Sequence, residues 1–189
     1  MATREEWKAG ARPRTFPAAL APVFVGTAIA EFEGSFRPLI ALLALIVALA
    51  LQVGVNYAND YSDGIRGTDD DRVGPVRLVG QGLAEPNQVK QAAIIAFTVS
   101  AVAGLGMVLL SQMWLLIPIG IAAIAAAWFY TGGAKPYGYY GYGELFVFVF
   151  FGLVAVAGTS ASQTGQVTIL ALLGGVSCGA LSTAILVSN

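Results

Sequence analysis

Three long stretches of the chain contain no charged residue, and they constrain its fold more than any other feature. No Asp, Glu, Lys or Arg occurs in residues 38–59, 91–134 or 145–189. A helix rises about 1.5 Å per residue, so about 20 apolar residues cross the ~30 Å hydrocarbon core of a bilayer. The first stretch fits one crossing, and each of the other two fits two. The sequence therefore predicts an all-α polytopic bundle of transmembrane helices.

A shorter apolar segment near the N-terminus adds one more helix and brings the predicted number to six. The predicted helices cover approximately residues 15–30, 38–59, 91–110, 114–131, 145–158 and 167–189. Only 11% of the residues are charged, whereas soluble domains carry about 25%. We interpret residues 1–189 as a single transmembrane domain embedded in the lipid bilayer.

The composition excludes several classes of function. A net charge of −1 gives no basic surface for a nucleic acid. The chain has no histidine, which excludes His-ligated metal centres and Ser-His-Asp catalysis. The one cysteine, Cys178, lies in an apolar stretch and allows no disulfide within the chain. Function is therefore expected from carboxylates, amides and basic side chains.

Basic residues are concentrated in one set of connections between the predicted helices. With a cytoplasmic N-terminus, segments 1–14, 60–90 and 132–144 face the cytoplasm and hold nine of the 10 Lys and Arg residues, leaving only Arg37 outside. This bias follows the positive-inside rule. We expect a multi-pass protein of the plasma membrane whose N-terminus and Asp-rich loop are cytoplasmic. These connections are also the longer ones, and long loops on a rigid scaffold commonly carry function.

The second predicted helix ends in a column of polar side chains. Asn56, Asp60 and Asp63 follow the spacing i, i+4, i+7, which places them on one helical face. Ionisable groups at a membrane boundary are costly unless they serve a site or meet water. Magnesium typically binds one or two carboxylates together with substrate phosphates. Asp60 and Asp63 are therefore candidate metal ligands, and Gly64 and Gly67 are expected to break the helix after them.

Basic residues follow this column closely. Arg66, Arg72 and Arg77 suit phosphate, because the guanidinium fork binds its oxygens bidentately. Lys135, after a Gly-Gly pair, can neutralise a diphosphate leaving group. Acids and bases together indicate a metal-bridged diphosphate. The alternatives are a solvated loop of ordinary ion pairs, an interfacial snorkelling Lys135, and an interfacial belt for the tyrosines of residues 137–142.

The sequence Asn-Asp-Tyr-Ser-Asp at residues 59–63 resembles the first Asp-rich motif of the UbiA-type membrane prenyltransferase superfamily. Further segments resemble the branch that acts on 1,4-dihydroxy-2-naphthoate in menaquinone synthesis. They are residues 12–15, 67–69, 74–79, 130–133, 135–136 and 142–144, with Gly82 and Pro86. Another branch has a third Asp where this chain has Gly67, and in the naphthoate branch Asp69 takes that role.

The resemblance implies a fold of about nine helices, of which this chain holds six. It also implies a second Asp-rich motif after the sixth helix, where this chain stops at Asn189. On this resemblance the 189 residues form the N-terminal part of the domain, and we expect them to insert into membranes without catalysing by themselves.

The implied reaction transfers a polyprenyl group from polyprenyl diphosphate to 1,4-dihydroxy-2-naphthoate with decarboxylation, giving demethylmenaquinone. Mg²⁺ on Asp60 and Asp63 would hold the diphosphate, and Arg66 and Lys135 complete the catalytic set. The predicted substrate-binding residues are Asn56, Asn59, Tyr61, Asp69, Arg72, Arg77 and Tyr130.

Two alternative functions remain open at this stage. One is a prenyltransferase with another aromatic acceptor. The other is a transporter that uses Asp60 and Asp63 as an ion site, although transporters place such groups near the midplane and these lie at the predicted membrane edge.

Overall fold

A computed structural model describes residues 2–67 and 76–188, and the secondary structure in these ranges is helical. The helices are α1 (Arg4–Gly10), α2 (Phe16–Phe32), α3 (Pro38–Arg66), α4 (Pro86–Ser111), α5 (Leu116–Phe129), α6 (Gly143–Val147), α7 (Ala155–Thr164) and α8 (Ile169–Val187). A π-helical segment, Phe148–Val154, joins α6 to α7 into one continuous rod. The all-α fold is confirmed, and a helix lies at each of the six predicted positions, the fifth being this rod.

The lengths of these helices identify a multi-pass membrane protein. Five of them, counting α1–α2 and α6–α7 as single spans, are long and apolar enough to cross a bilayer. The helix α5 has 14 residues and is therefore about 21 Å long. It starts later than predicted because a tight turn precedes it, in which the N–H groups of Leu116 and Ile117 donate to the carbonyls of Met113 and Trp114.

Helix α3 runs seven residues beyond its predicted end at residue 59 and carries the whole Asp motif in helical form. Gly64, expected to break the helix, lies inside it. A Cβ at Gly64 would lie 2.4 Å from Cγ1 of Val79, so the glycine makes room for the following loop. The helix ends at Gly67, whose φ of 71° is the left-handed conformation that glycine adopts without strain.

The loops predicted to carry function converge at one end of the bundle, around the C-terminal turns of α3; we call this the Asp60 end. Helix α1 packs there, with the Trp7 ring 5.6 Å from the Tyr57 ring and the Tyr57 hydroxyl donating to the Trp7 carbonyl at 2.8 Å. At the opposite end, Arg37 donates to the carbonyl of Leu110 at 2.8 Å and thereby satisfies the C-terminus of α4.

Candidate functional site

The last turns of α3 bury two carboxylates at the Asp60 end. Asp60 is 0% exposed and Asp63 is 5% exposed. A buried carboxylate is tolerated when it is paired or hydrogen-bonded, because desolvation of its charge is otherwise too costly. The partners of each carboxylate therefore indicate its role.

Both oxygens of Asp60 accept hydrogen bonds from the loop that leads to α4. The backbone N–H of Leu78 donates to Oδ2 at 2.8 Å, and that of Val79 donates to Oδ1 at 3.0 Å. The hydrogen bonds described for this carboxylate therefore come from backbone N–H groups.

Asp63 meets side chains from two different loops. The Tyr139 hydroxyl donates to its Oδ1, and Nη1 of Arg77 lies 4.0 Å from its Oδ2. Arg77 is itself 8% exposed, so this acid–base contact is largely shielded from water. The structure thus brings together two of the predicted site residues, Asp63 and Arg77, which are 14 positions apart in the sequence.

Arg66 ties α3 to the loop after α5. Its guanidinium donates to the carbonyls of Thr131 and Gly133 and lies 5.9 Å from the centroid of the Tyr139 ring. Two turns earlier, Oδ1 of Asn59 accepts a hydrogen bond from the Thr131 hydroxyl at 2.8 Å. Both predicted residues therefore hold the Gly-Gly segment in place beside Asp63.

Asn56 is directed to the N-terminal turn instead. Its amide donates to the carbonyl of Ala11 at 2.8 Å and to the Thr15 hydroxyl at 3.1 Å, and Gln52 also donates to that hydroxyl at 2.9 Å. Between these anchors Arg12 adopts a left-handed φ of 54°. Such a conformation in a residue other than glycine costs about 1–3 kcal/mol and persists only where its surroundings fix it.

The two predicted aromatic residues lie in separate clusters. Tyr61 follows Asp60 directly, and a two-residue step to Asp63 turns the helix by about 200°, so these side chains point to opposite faces. The Tyr61 ring lies 6.3 Å from the Trp128 ring and 5.7 Å from Nζ of Lys90.

Tyr130 begins a line of rings that leads into the bundle. Its ring lies 5.5 Å from that of Tyr137, which stacks on Phe146 at 4.1 Å. Burial raises the pKa of the Tyr137 hydroxyl, and its neighbour Tyr130 adds to the shift. The hydroxyl therefore stays protonated and donates to the carbonyl of Ala126 at 2.9 Å.

The remaining predicted residues are less constrained by the structure. Lys135 is exposed in the loop between α5 and α6. Asp69 and Arg72 lie outside the described residues, so their predicted roles stay predictions.

Two contacts of the site were not anticipated from the sequence. Tyr139 bonds Asp63 across 76 positions, and Thr131 bonds Asn59 across 72. The tyrosines were interpreted as an interfacial belt, and no local spacing reveals contacts between segments so far apart. The Gly-Gly pair at residues 132–133 is the one signal that this loop approaches other backbone closely.

The carboxylates of this site are ligands of the kind that magnesium binds. No cluster of three or more His, Cys, Asp or Glu side chains with metal-site geometry occurs among residues 2–67 and 76–188. Magnesium does not require one, because it commonly uses one or two carboxylates and fills its other positions with water and substrate phosphate. The nearby arginines Arg66 and Arg77 suit that phosphate.

Comparisons with known proteins agree with this chemistry. The model of the UbiA prenyltransferase family matches residues 19–189. A 1,4-dihydroxy-2-naphthoate octaprenyltransferase of Mycobacterium leprae is 58% identical over 189 residues, which are 100% of this chain and 64% of the relative. The Escherichia coli protein of the same name is 40% identical over 98% of this chain and 62% of its own length.

A more distant relative is the UbiA prenyltransferase domain-containing protein 1 of Gallus gallus, which is 30% identical over 94% of this chain and 54% of its own length. The chain thus spans less than two thirds of the length of the curated relatives that it matches.

Proposed function

Because the chain belongs to the UbiA prenyltransferase family, we propose that it transfers a polyprenyl group from polyprenyl diphosphate to 1,4-dihydroxy-2-naphthoate, with loss of carbon dioxide. Relatives that carry this activity in their names support the choice of acceptor. The observation that carries the proposal is the contact of the buried Asp63 with Arg77 and with the half-exposed Tyr139, at the end of a membrane helix. Asp63 supplies an acid for a cation, and Arg77 supplies a base for phosphate. The apolar membrane helices allow the prenyl chain to approach both.

Asp63 is the carboxylate that would hold magnesium, since it lies where the loops after α3 and α5 meet. When bound, the ion would supply Lewis-acid stabilisation of the diphosphate. Arg77 would bind phosphate oxygens beside it, and Lys135 would add a point charge from the opposite loop. Arg66 holds that loop through two carbonyls, so it would position Lys135 as well as contribute charge.

The bond changes follow from these placements. The C–O bond of the prenyl diphosphate breaks, and its electron pair leaves with the diphosphate that Arg77 and Lys135 neutralise. The resulting allylic cation is stabilised by aromatic faces such as that of Tyr130, at about 0.5–2 kcal/mol per contact. The naphthoate carbon that bears the carboxylate then attacks the cation. Carbon dioxide departs and leaves its bonding pair in the ring, which gives the reduced form of demethylmenaquinone.

Since residues 1–189 alone are expected not to catalyse, the test uses the purified protein in a form extended at its C-terminus to the length of its relatives. It is incubated with polyprenyl diphosphate, 1,4-dihydroxy-2-naphthoate and magnesium. We expect prenylated product, diphosphate and carbon dioxide in equal amounts, because each transfer releases one of each. Prenylation of 4-hydroxybenzoate with no release of carbon dioxide would instead indicate another aromatic acceptor. Cation flux into vesicles without diphosphate release would indicate a transporter.

For the orientation in the membrane, we propose that the protein resides in the plasma membrane with its N-terminus and the Asp60 end in the cytoplasm. Nine of the 10 basic residues lie in the segments that this orientation places in the cytoplasm, which supports it. In a Cys178→Ala background, we expect an Ala134→Cys thiol to react with impermeant maleimide only in inverted vesicles. The matched control is Gln166→Cys, an exposed position at the opposite end of the bundle, which should react in intact cells. The reverse labelling pattern would overturn the orientation.

A further inference from the structure

Asp60 and Asp63 are one helical turn apart, but they differ in what surrounds them. Asp60 is fully buried, and each of its oxygens already accepts a backbone N–H. Magnesium keeps several of its waters when it binds to proteins, and a carboxylate enclosed in this way offers no room for a hydrated ion. Asp63 is also buried, at 5% exposed, but its partners are side chains of two loops, which can turn away from the carboxylate, whereas the backbone donors of Asp60 cannot.

The loop that Asp60 binds is a compact unit closed by its own hydrogen bonds. The Leu78 carbonyl accepts the N–H groups of Leu83 and Ala84, both at 2.9 Å, and the Arg77 carbonyl accepts that of Gln81 at 3.1 Å. Within this loop the N–H groups of residues 78 and 79 are the ones that point to α3, and both reach Asp60. The carboxylate therefore fixes the register of the loop against the helix.

Side-chain packing completes the docking of this loop. Leu78 is 0% exposed and lies so close to Gly10 of α1 that a Cβ there would be 2.8 Å from its Cδ1. Val79 fits against Gly64 in the same manner. These contacts fill space, but apolar packing is not directional, whereas two hydrogen bonds to one carboxylate define an orientation.

The orientation of the loop determines where Arg77 points. Arg77 directly precedes the two residues bound by Asp60, and its guanidinium reaches to 4.0 Å from Asp63. A shift of about 1 Å in such a group is enough to reduce catalysis severalfold or more. Asp60 is thus placed to control the site through the loop without touching substrate.

We propose that Asp60 is a positioning residue that acts through Arg77, and that Asp63 alone of the two provides the ligand for magnesium. The proposal deepens the proposed function and rests on it for the kinetic test. It divides the roles of two acids that share a motif and a helical face, and it assigns the loop 76–84 to the diphosphate-binding site.

The structural test is hydrogen exchange of the peptide that covers residues 76–84, in wild type, Asp60→Asn and Asp63→Asn. Asparagine at position 60 keeps one acceptor oxygen and places an N–H₂ group where the second acceptor was. We expect at least tenfold faster exchange at one or both of the amides of Leu78 and Val79. Asp63→Asn is the matched control and should leave their protection unchanged. Unchanged protection in Asp60→Asn would overturn the proposal, and this readout does not depend on activity.

The kinetic test is a double-mutant cycle between Asp60→Asn and Arg77→Gln. If Asp60 acts through Arg77, the double variant should be no slower than the slower single variant, because the second change finds nothing left to disturb. The magnesium concentration for half-maximal rate should stay within twofold of wild type in Asp60→Asn. Losses in rate that multiply in the double variant would show that Asp60 does not act through Arg77. A tenfold rise in the magnesium concentration for half-maximal rate would show that Asp60 binds the ion itself.

Two further results separate the possible failures. If Asp60→Asn does not accumulate in membranes, Asp60→Glu is used in its place, because the longer side chain displaces both acceptor oxygens and keeps the charge. Faster exchange at the amides of Leu78 and Val79 would again support the proposal, and unchanged protection would overturn it. If wild type shows no prenyl transfer, the proposed function fails, and the hydrogen-exchange result still decides whether Asp60 anchors the loop.

Discussion

Replacing Asp63 with asparagine is expected to lower prenyl transfer about 10²–10³-fold, a loss typical of removing one preorganised electrostatic contact to the transition state. The amide keeps the size of the side chain and an oxygen that accepts from Tyr139. It loses the negative charge that faces Arg77 and would bind magnesium. The effect should therefore appear in turnover, with thermal unfolding close to wild type. Product formation and melting in the same detergent measure the two quantities.

The control is Ser62→Ala, which removes a polar oxygen from the neighbouring buried position on α3 without changing charge; Ser62 is 3% exposed. It should retain most of the activity. Near-normal turnover of Asp63→Asn at saturating magnesium would remove Asp63 from the proposed site. A loss of folded protein in both variants would instead indicate that this turn of α3 tolerates no polar change.

The helices were predictable because the bilayer imposes a simple requirement. A crossing segment must satisfy its own backbone hydrogen bonds and exclude charge for about 20 residues, and both demands are visible in the sequence. The error at the end of α3 has a physical cause as well. A glycine such as Gly64 predicts a break in the helix, yet its missing side chain serves the approach of Val79 from another segment. Glycine reports a need for space or for an unusual φ, and the sequence alone does not distinguish the two.

The site was predictable as a set of residue types but not as a set of contacts. The periodicity placed Asn56, Asp60 and Asp63 on one face, which α3 confirms by remaining helical through residue 66. Their partners come from three different segments, and these are brought together only by tertiary packing. The helical face therefore predicted where the polar site lies. The individual contacts depend on how the loops pack, and they show that Asn56 holds the N-terminal turn and that Asp60 holds the loop before α4.

The largest effect on stability is expected from Gly152→Ala, in the π-helical segment that packs on α8. A Cβ at this position would lie 2.5 Å from the Gly175 carbonyl oxygen and 2.5 Å from Cα of Gly179. Gly175 and Gly179 form a G-x-x-x-G pattern, which lets helices approach closely in a membrane. Since the obstructing atoms belong to the backbone, no side chain can rotate away, and the two helices must separate.

We expect Gly152→Ala to lose about 3 kcal/mol of unfolding free energy, at the upper end of the usual cost of overpacking. The matched control is Gly158→Ala in α7, where the nearest atom to the added Cβ is Cδ2 of Leu116 at an ordinary 3.8 Å. That change should be neutral or stabilising by up to about 1 kcal/mol, because alanine favours helix over glycine. Titration with dodecyl sulfate, followed by helical circular dichroism, measures both. Equal stability of the two variants would mean that the π-helical segment and α8 do not pack through these glycines, since close backbone contact cannot accommodate a methyl group without cost.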